Sequence, residues 1–151
     1  MIYTNEPANM YYVFVSAYRS YESVEVNELM QDALAKLINE SPKMFGRIED
    51  YRVTGCYHEV GSDSATEERT FKVLCTHEQA ENLAFMATDR FFQDCVLVVN
   101  SQTHTANLWR ITVPQYRVVR EITDLNGSLQ PVSKPTGECY SVIDGQYWEV
   151  I

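Results

Sequence analysis

The chain has 151 residues, 45% hydrophobic and 22% charged, with a formal net charge of −9. That length suits one domain, residues 1–151, with a real core, and the negative balance argues against nucleic-acid binding. No apolar run approaches the length of a membrane span, and the opening MIYTNEPANMYY lacks a basic region followed by an apolar stretch, so neither a membrane anchor nor a signal peptide is expected and the cytoplasm is the expected compartment.

Residues 1 to 9 read as irregular, with Pro7 breaking any strand. Met10 to Arg19 reads as a central strand: Tyr11, Val13, Val15 and Ala17 share one face, Tyr12, Phe14, Ser16 and Tyr18 the other. Ser16 and Tyr18 fall near its end, where they could line a site. Ser23 is positioned as the N-cap of a helix running to Asn39, with Val26, Leu29, Met30, Ala33, Leu34, Leu37 and Ile38 as its core stripe and Pro42 as its stop.

Phe45 to Val60 and Glu67 to Cys75 read as two extended segments around a turn, Gly61 to Thr66, which predicts a hairpin. With Val60 opposite Glu67, Glu59 faces Glu68 and Tyr57 faces Thr70, and these four side chains share one face. Two carboxylates placed opposite each other repel, which raises one carboxyl pKa and holds negative potential for a cation. A solvated hairpin face with both glutamates wet is the commoner outcome of such spacing.

Thr76 and Gln79 form a capping-box pattern ahead of a second helix with a buried stripe of Ala80, Leu83, Ala84, Ala87 and Phe91. Cys95 to Asn100 reads as a buried strand. The segment Ser101-Gln102-Thr103-His104-Thr105 follows it, dense in hydrogen-bonding side chains; a ligand-contact loop and a satisfied polar turn fit it equally. Leu108 to Val113 and Tyr116 to Ile122 read as strands, Asn126 to Gly137 as a loop, and the end as a hairpin turning at Asp144-Gly145. Cys56, Cys75, Cys95 and Cys139 show no metal-ligand spacing, which argues against zinc and for reduced, buried thiols. The acids are spread rather than massed, which suits a cationic ligand or mere solubility better than DNA mimicry.

The order strand, helix, strand, strand, helix, strand is the split-βαβ order. It predicts an α+β, ferredoxin-like antiparallel sheet with two helices on one face and extra C-terminal strands. Because the first strand is apolar on both faces, the second sheet face is expected to be covered by oligomerisation.

Several segments taken together resemble a known family. They are Glu6-Pro7-Ala8-Asn9, Tyr12-Val13, Val15-Ser16-Ala17-Tyr18-Arg19-Ser20, Glu25-Val26-Asn27, Thr54-Gly55-Cys56-Tyr57, Thr66-Glu67-Glu68, Gln93 to Val98 and Ser101 to Ala106. The family is the small phage-encoded enzymes that destroy S-adenosylmethionine, long called hydrolases and since reinterpreted as lyases. The resemblance spans residues 6 to about 107 and fades from Leu108. It implies a homotrimer of PII-like subunits with sites between subunits, and Tyr57 and Glu68 as the catalytic residues. Glu59, Ser16, Gln102 and His104 are weaker candidates for substrate binding.

In the lyase reading the substrate carboxylate attacks its own γ-carbon, giving methylthioadenosine and homoserine lactone. Glu68 anchors the ammonium group or balances the sulfonium, Tyr57 orients the carboxylate, and no metal or cofactor is required. In the hydrolase reading Glu68 is a general base for water and the product is homoserine. The biological role implied is removal of S-adenosylmethionine to counter host restriction and methylation, in the host cytoplasm. Two non-catalytic alternatives are an acidic anti-restriction protein that binds a host nuclease, and a PII-like sensor that binds a nucleotide-like ligand without cleaving it.

Overall fold

A computed structural model describes residues 9–57, 66–137 and 139–151, apart from the side chain of Tyr57. The expected turn at Gly61 to Thr66, save Thr66 itself, lies outside the described residues, as do Glu59 and the segment Glu6-Pro7-Ala8. The strands are β1 (Tyr11–Val15), β2 (Arg47–Tyr57), β3 (Thr66–Cys75), β4 (Val96–Asn100), β5 (Thr105–Thr112), β6 (Val119–Val132), β7 (Cys139–Ile143) and β8 (Gln146–Val150). Among the described residues they are joined by the α-helices α1 (Val24–Glu40), α2 (Pro42–Phe45) and α3 (His77–Phe91), with a 3-10 turn at Pro114–Tyr116.

All strand pairs are antiparallel, and the sheet closes into a barrel in the order β1-β3-β2-β7-β8-β6-β5-β4, with β4 returning to β1. This overturns the expected ferredoxin-like or PII-like sheet. The chain order from β1 to β4 is strand, helix, strand, strand, helix, strand, but β5 to β8 continue the sheet and seal it. The second face of β1 is therefore covered by the protein's own strands, not left open for partner subunits.

The closure depends on β6, whose second half, from Asn126, has the sequence pattern of a loop. Its first half pairs with β5 and its residues Leu129 to Val132 pair with β8. Between them Asn126 adopts φ 53° and the β5–β6 register shifts, a bulge that bends the strand from one partner to the next. Pro131 lies beyond the β5 pairing, so on that side its missing N–H takes nothing from a ladder.

Two hydrophobic cores result. Outside the barrel, Val13, Val15, Phe71, Val73 and Trp109 pack against Leu34, Ile38, Leu83 and Phe91 of the helices. Inside it, Phe14, Val53, Val99, Ala106 and Leu129 meet Leu97, Ile143 and Trp148. The strand alternation of β1 thus feeds two separate interiors.

The caps form as expected. The Ser23 side chain accepts from Val26 N, and Thr76 with Gln79 completes a capping box. The α3 stripe is buried as expected. The α1 stripe differs: Leu29 is 69% exposed, while Asn27 and Gln31 are buried with Leu34 and Ile38. The first half of α1 turns polar groups inward because the chain leaving β1 needs hydrogen-bond partners there. Cys56 and Cys75 are buried as expected, whereas Cys95 is only half-buried and Cys139 is exposed.

Candidate active site

Ser16 follows β1 in phase with Tyr12 and Phe14, so it faces the barrel interior at one mouth. It is buried, donates to the Arg69 carbonyl at 2.8 Å and accepts from Tyr18 N at 3.0 Å. The segment from Ser16 to Arg19 is held by α1. Ala17 N donates to Gln31 Oε1 at 2.7 Å, Arg19 N to Asn27 Oδ1 at 2.9 Å, and Asn27 Nδ2 to the Arg19 carbonyl at 3.1 Å.

Glu68, two residues into β3, lies against the Ser16 hydroxyl, whose one proton is shared between the Arg69 carbonyl and the Glu68 carboxyl. Burial pushes its carboxyl above the ordinary range, and the Ser16 bond opposes that rise. Its sequence neighbour Arg69 serves other acids, reaching Glu28 at 2.8 Å and Asp32 at 3.6 Å. Among the described residues Glu68 has no cationic partner.

The hairpin register differs from the expected one. Tyr57 lies opposite Thr66, Cys56 opposite Glu67, Gly55 opposite Glu68 and Val53 opposite Thr70. The shift is four residues along one strand, an even number, so Tyr57 and Glu68 keep register positions in the same phase. The residue across from Glu68 is Gly55, not Glu59, so burial and not a facing carboxylate is the leading cause of its raised pKa.

Gln102 and His104 sit in the turn from β4 to β5. Asn100 organises this turn, its side chain accepting from Gln102 N at 2.9 Å and Thr103 N at 3.0 Å. His104 adopts φ 62° and edges a small cavity of about 100 Å³ with Tyr12, Phe14 and Lys72. Asn100 is level with Tyr11, five residues before Ser16 along β1, a separation of ~17 Å. The chain therefore brings together Ser16, Glu68 and the backbone of Tyr57, and places Gln102 and His104 at the other mouth.

A cavity of about 650 Å³ opens within the barrel, walled by Leu97, Leu129, Trp148 and Val150 and bordered by Ser141 and Glu149. Its size falls in the range of small-molecule sites. Ser141 pairs with Gly55, and Gly55 with Glu68, so one rung of the sheet connects the cavity wall to the acid. The Glu149 carboxylate accepts from Thr136 N, Thr136 Oγ1 and Gly137 N at 2.9, 2.9 and 2.7 Å. Those bonds, the Gly137 N–H foremost, hold its pKa below the ordinary range. Among the described residues no group of three or more His, Cys, Asp and Glu could hold a metal ion.

The sequence pattern assigns no site position to Ser141, Trp148 or Gln31, and it marks Gly55 and Asn27 only through the family resemblance. Only the polar positions on α1 left a signal, as breaks in an otherwise apolar stripe.

A barrel with an acid at one mouth and a ligand-sized lumen is the arrangement of a small-molecule site. Residues 13–151 match the S-adenosylmethionine lyase family. An S-adenosylmethionine lyase of Enterobacteria phage T3 is 40% identical over 155 aligned residues, covering 99% of each chain. The chain belongs to the S-adenosylmethionine lyase family. The similarity extends through β5 to β8, beyond the point near Leu108 where the sequence resemblance faded. Among the described residues, no helix is long and apolar enough to cross a membrane.

Proposed function

We propose that this chain cleaves S-adenosyl-L-methionine to 5′-methylthioadenosine and L-homoserine lactone. The substrate carboxylate attacks the γ-carbon. A carbon–oxygen bond forms, the carbon–sulfur bond breaks, and its electron pair returns to sulfur as a neutral thioether. No proton moves and the reaction balances without a metal or cofactor. The enzyme has to fold the methionine chain into an attack geometry and shield it from water.

Family membership carries the activity; Glu68, half-buried and without a cationic partner among the described residues, carries the site. A cation beside this carboxyl favours its ionised form and regains attraction that burial alone denies it. Glu68 receives the ammonium or sulfonium charge, Ser16 holds the Glu68 carboxyl, and Tyr57 orients the substrate carboxylate. An intramolecular nucleophile gains the large effective molarity of a tethered group and needs no base, which favours lyase over hydrolase.

The site is completed in a homotrimer, where Gln102 and His104 of a neighbouring copy approach the Glu68 mouth. Exposed Tyr21, Val24, Leu29 and Phe92 offer apolar surface for such contacts. Light scattering tests the trimer. The biological role proposed is depletion of S-adenosylmethionine in a host cytoplasm, against restriction and methylation.

Mass spectrometry of early products made in ¹⁸O-water tests the chemistry. Unlabelled lactone with methylthioadenosine supports the lyase. Homoserine formed directly with label on its side-chain oxygen overturns it in favour of hydrolysis. No consumption sinks both and leaves nuclease binding or sensing.

A further inference from the structure

We propose that the barrel mouth opposite Glu68 holds a second binding site, for a small monocarboxylate, with Lys72 as its cationic anchor. Lys72 lies opposite Phe14 of β1, and Phe14 belongs to the interior core. Its sequence neighbours Phe71 and Val73 belong to the outer core, so Lys72 points into the barrel. Glu68 is four residues back along β3 in the same phase, ~13 Å away. The two opposite charges thus stand at separate ends of one strand face.

An inward-facing lysine on a barrel strand needs a partner for its charge. Among the described residues no carboxylate forms an ion pair with Lys72. Asp50 is its neighbour in the β2–β3 ladder, but that carboxylate turns back on its own strand and accepts from Arg52 N at 2.7 Å. The Lys72 ammonium instead lies 4.1 Å from the centre of the Tyr12 ring. A ring face attracts a cation but leaves most of its N–H groups open to water or a ligand.

Beside Lys72 is the cavity of about 100 Å³, walled by Phe14, Val99, Leu129, Ile143 and Trp148. His104 stands at its edge. The left-handed backbone of His104 is bonded on both sides, its N–H donating to the Asn100 carbonyl and its carbonyl accepting from Leu129 N, each at 2.8 Å. Those bonds fix the backbone that carries the ring. One ammonium, one imidazole at the rim and an otherwise apolar wall match a carboxylate on a short hydrocarbon chain. A phosphate, with more oxygens to satisfy, finds too few donors. The volume is well below the roughly 300 Å³ at which sites for drug-sized ligands begin, which excludes a nucleotide.

Butyrate is the probe, titrated as its sodium salt into the full chain while both tryptophan indole N–H signals are followed by NMR. Trp148 lines the cavity, whereas Trp109 is buried in the core between barrel and helices. The Trp148 signal is expected to shift saturably and the Trp109 signal to stay. Neutral butyramide, and sodium chloride at matched ionic strength, are expected to move neither. Lys72→Met, checked for fold by circular dichroism, is expected to weaken butyrate binding by about tenfold or more. The absence of a saturable shift, an equal shift with butyramide or chloride, or undiminished binding in Lys72→Met overturns the site, and the first two results need no variant. The substrate also carries a carboxylate, so competition separates the two sources. Saturating butyrate is expected to leave the KM for S-adenosylmethionine within about twofold of its value without butyrate. A competitive rise of about tenfold or more would give the cavity to the substrate and overturn a separate site.

Discussion

Replacing Glu68 by Gln separates the charge from the shape of the site. The amide keeps the volume and can still bond Ser16, but it carries no charge. A cation about 4 Å from a carboxylate at an effective dielectric near 20 gains roughly 4 kcal/mol. Glu68 is only partly withdrawn from solvent, so about 2–4 kcal/mol is the working range, or roughly 30- to 1,000-fold in kcat/KM. Stability should move the other way. The carboxyl is desolvated and has no cationic partner among the described residues, so a neutral isostere should leave the melting temperature at neutral pH unchanged or higher. Steady-state release of methylthioadenosine and thermal unfolding on the same preparations check both arms. Retained activity with a lowered melting temperature would refute the reasoning, because Glu68 would then be a structural group.

Other outcomes follow from single contacts. Glu149→Ala removes three hydrogen bonds to one carboxylate and should cost about 1–3 kcal/mol in denaturant unfolding at pH 7. The Glu149 pKa is lowered, so its stabilisation is present above the ordinary carboxyl value and lost as pH falls through the folded one. The variant and the parent chain should therefore converge in acid. Thr76→Ala breaks the capping box of α3 and should cost ~1 kcal/mol, read as a lower melting temperature with KM unchanged. Cys75 is buried in the outer core with its thiol pushed up to about 12. It should resist alkylation at pH 8 in the native chain and react after unfolding.

Local chemistry was legible where one residue type decides it. Ser23, Thr76 and Gln79 announced helix starts, and Asp144-Gly145 announced a turn whose φ values of 50° and 77° suit a primed hairpin. The pairing of Tyr57 and Glu68 in one phase was legible from parity alone, since a four-residue error in register leaves strand faces unchanged. Closure was not. Asn126-Gly127 reads equally as a turn or as a bulge, and only the partner strands β5 and β8 decide between them. Likewise the apolar inner face of β1 demanded burial, but its pattern cannot say whether another subunit or the chain's own strands supply it. The buried Asn27 and Gln31 show in the sequence only as polar breaks on α1, because their partners, at Arg19 and Ala17, are backbone groups, which no side-chain pattern encodes.

The raised pKa of Glu68 makes the site testable by pH. Above its folded pKa the carboxylate is ionised and attracts the substrate cation; below it the group is neutral. Hence kcat/KM should fall as pH drops through a value higher than the ordinary carboxyl range, and the inflection should vanish in Glu68→Gln. Ser16 lowers that pKa by its hydrogen bond, against the larger effect of burial. Ser16→Ala should therefore move the inflection to higher pH, whereas loss of a merely structural hydroxyl would leave it in place. The linked stability runs in the same window with the opposite preference. A carboxyl whose folded pKa exceeds its unfolded value stabilises the fold when protonated, and that contribution is lost as pH rises through the folded pKa. Glu68 is thus most useful to the reaction in the pH range where it is least useful to the fold. An inflection that stays put in Ser16→Ala, or moves toward acid, would separate Ser16 from the chemistry and leave it as a clamp on Arg69 alone.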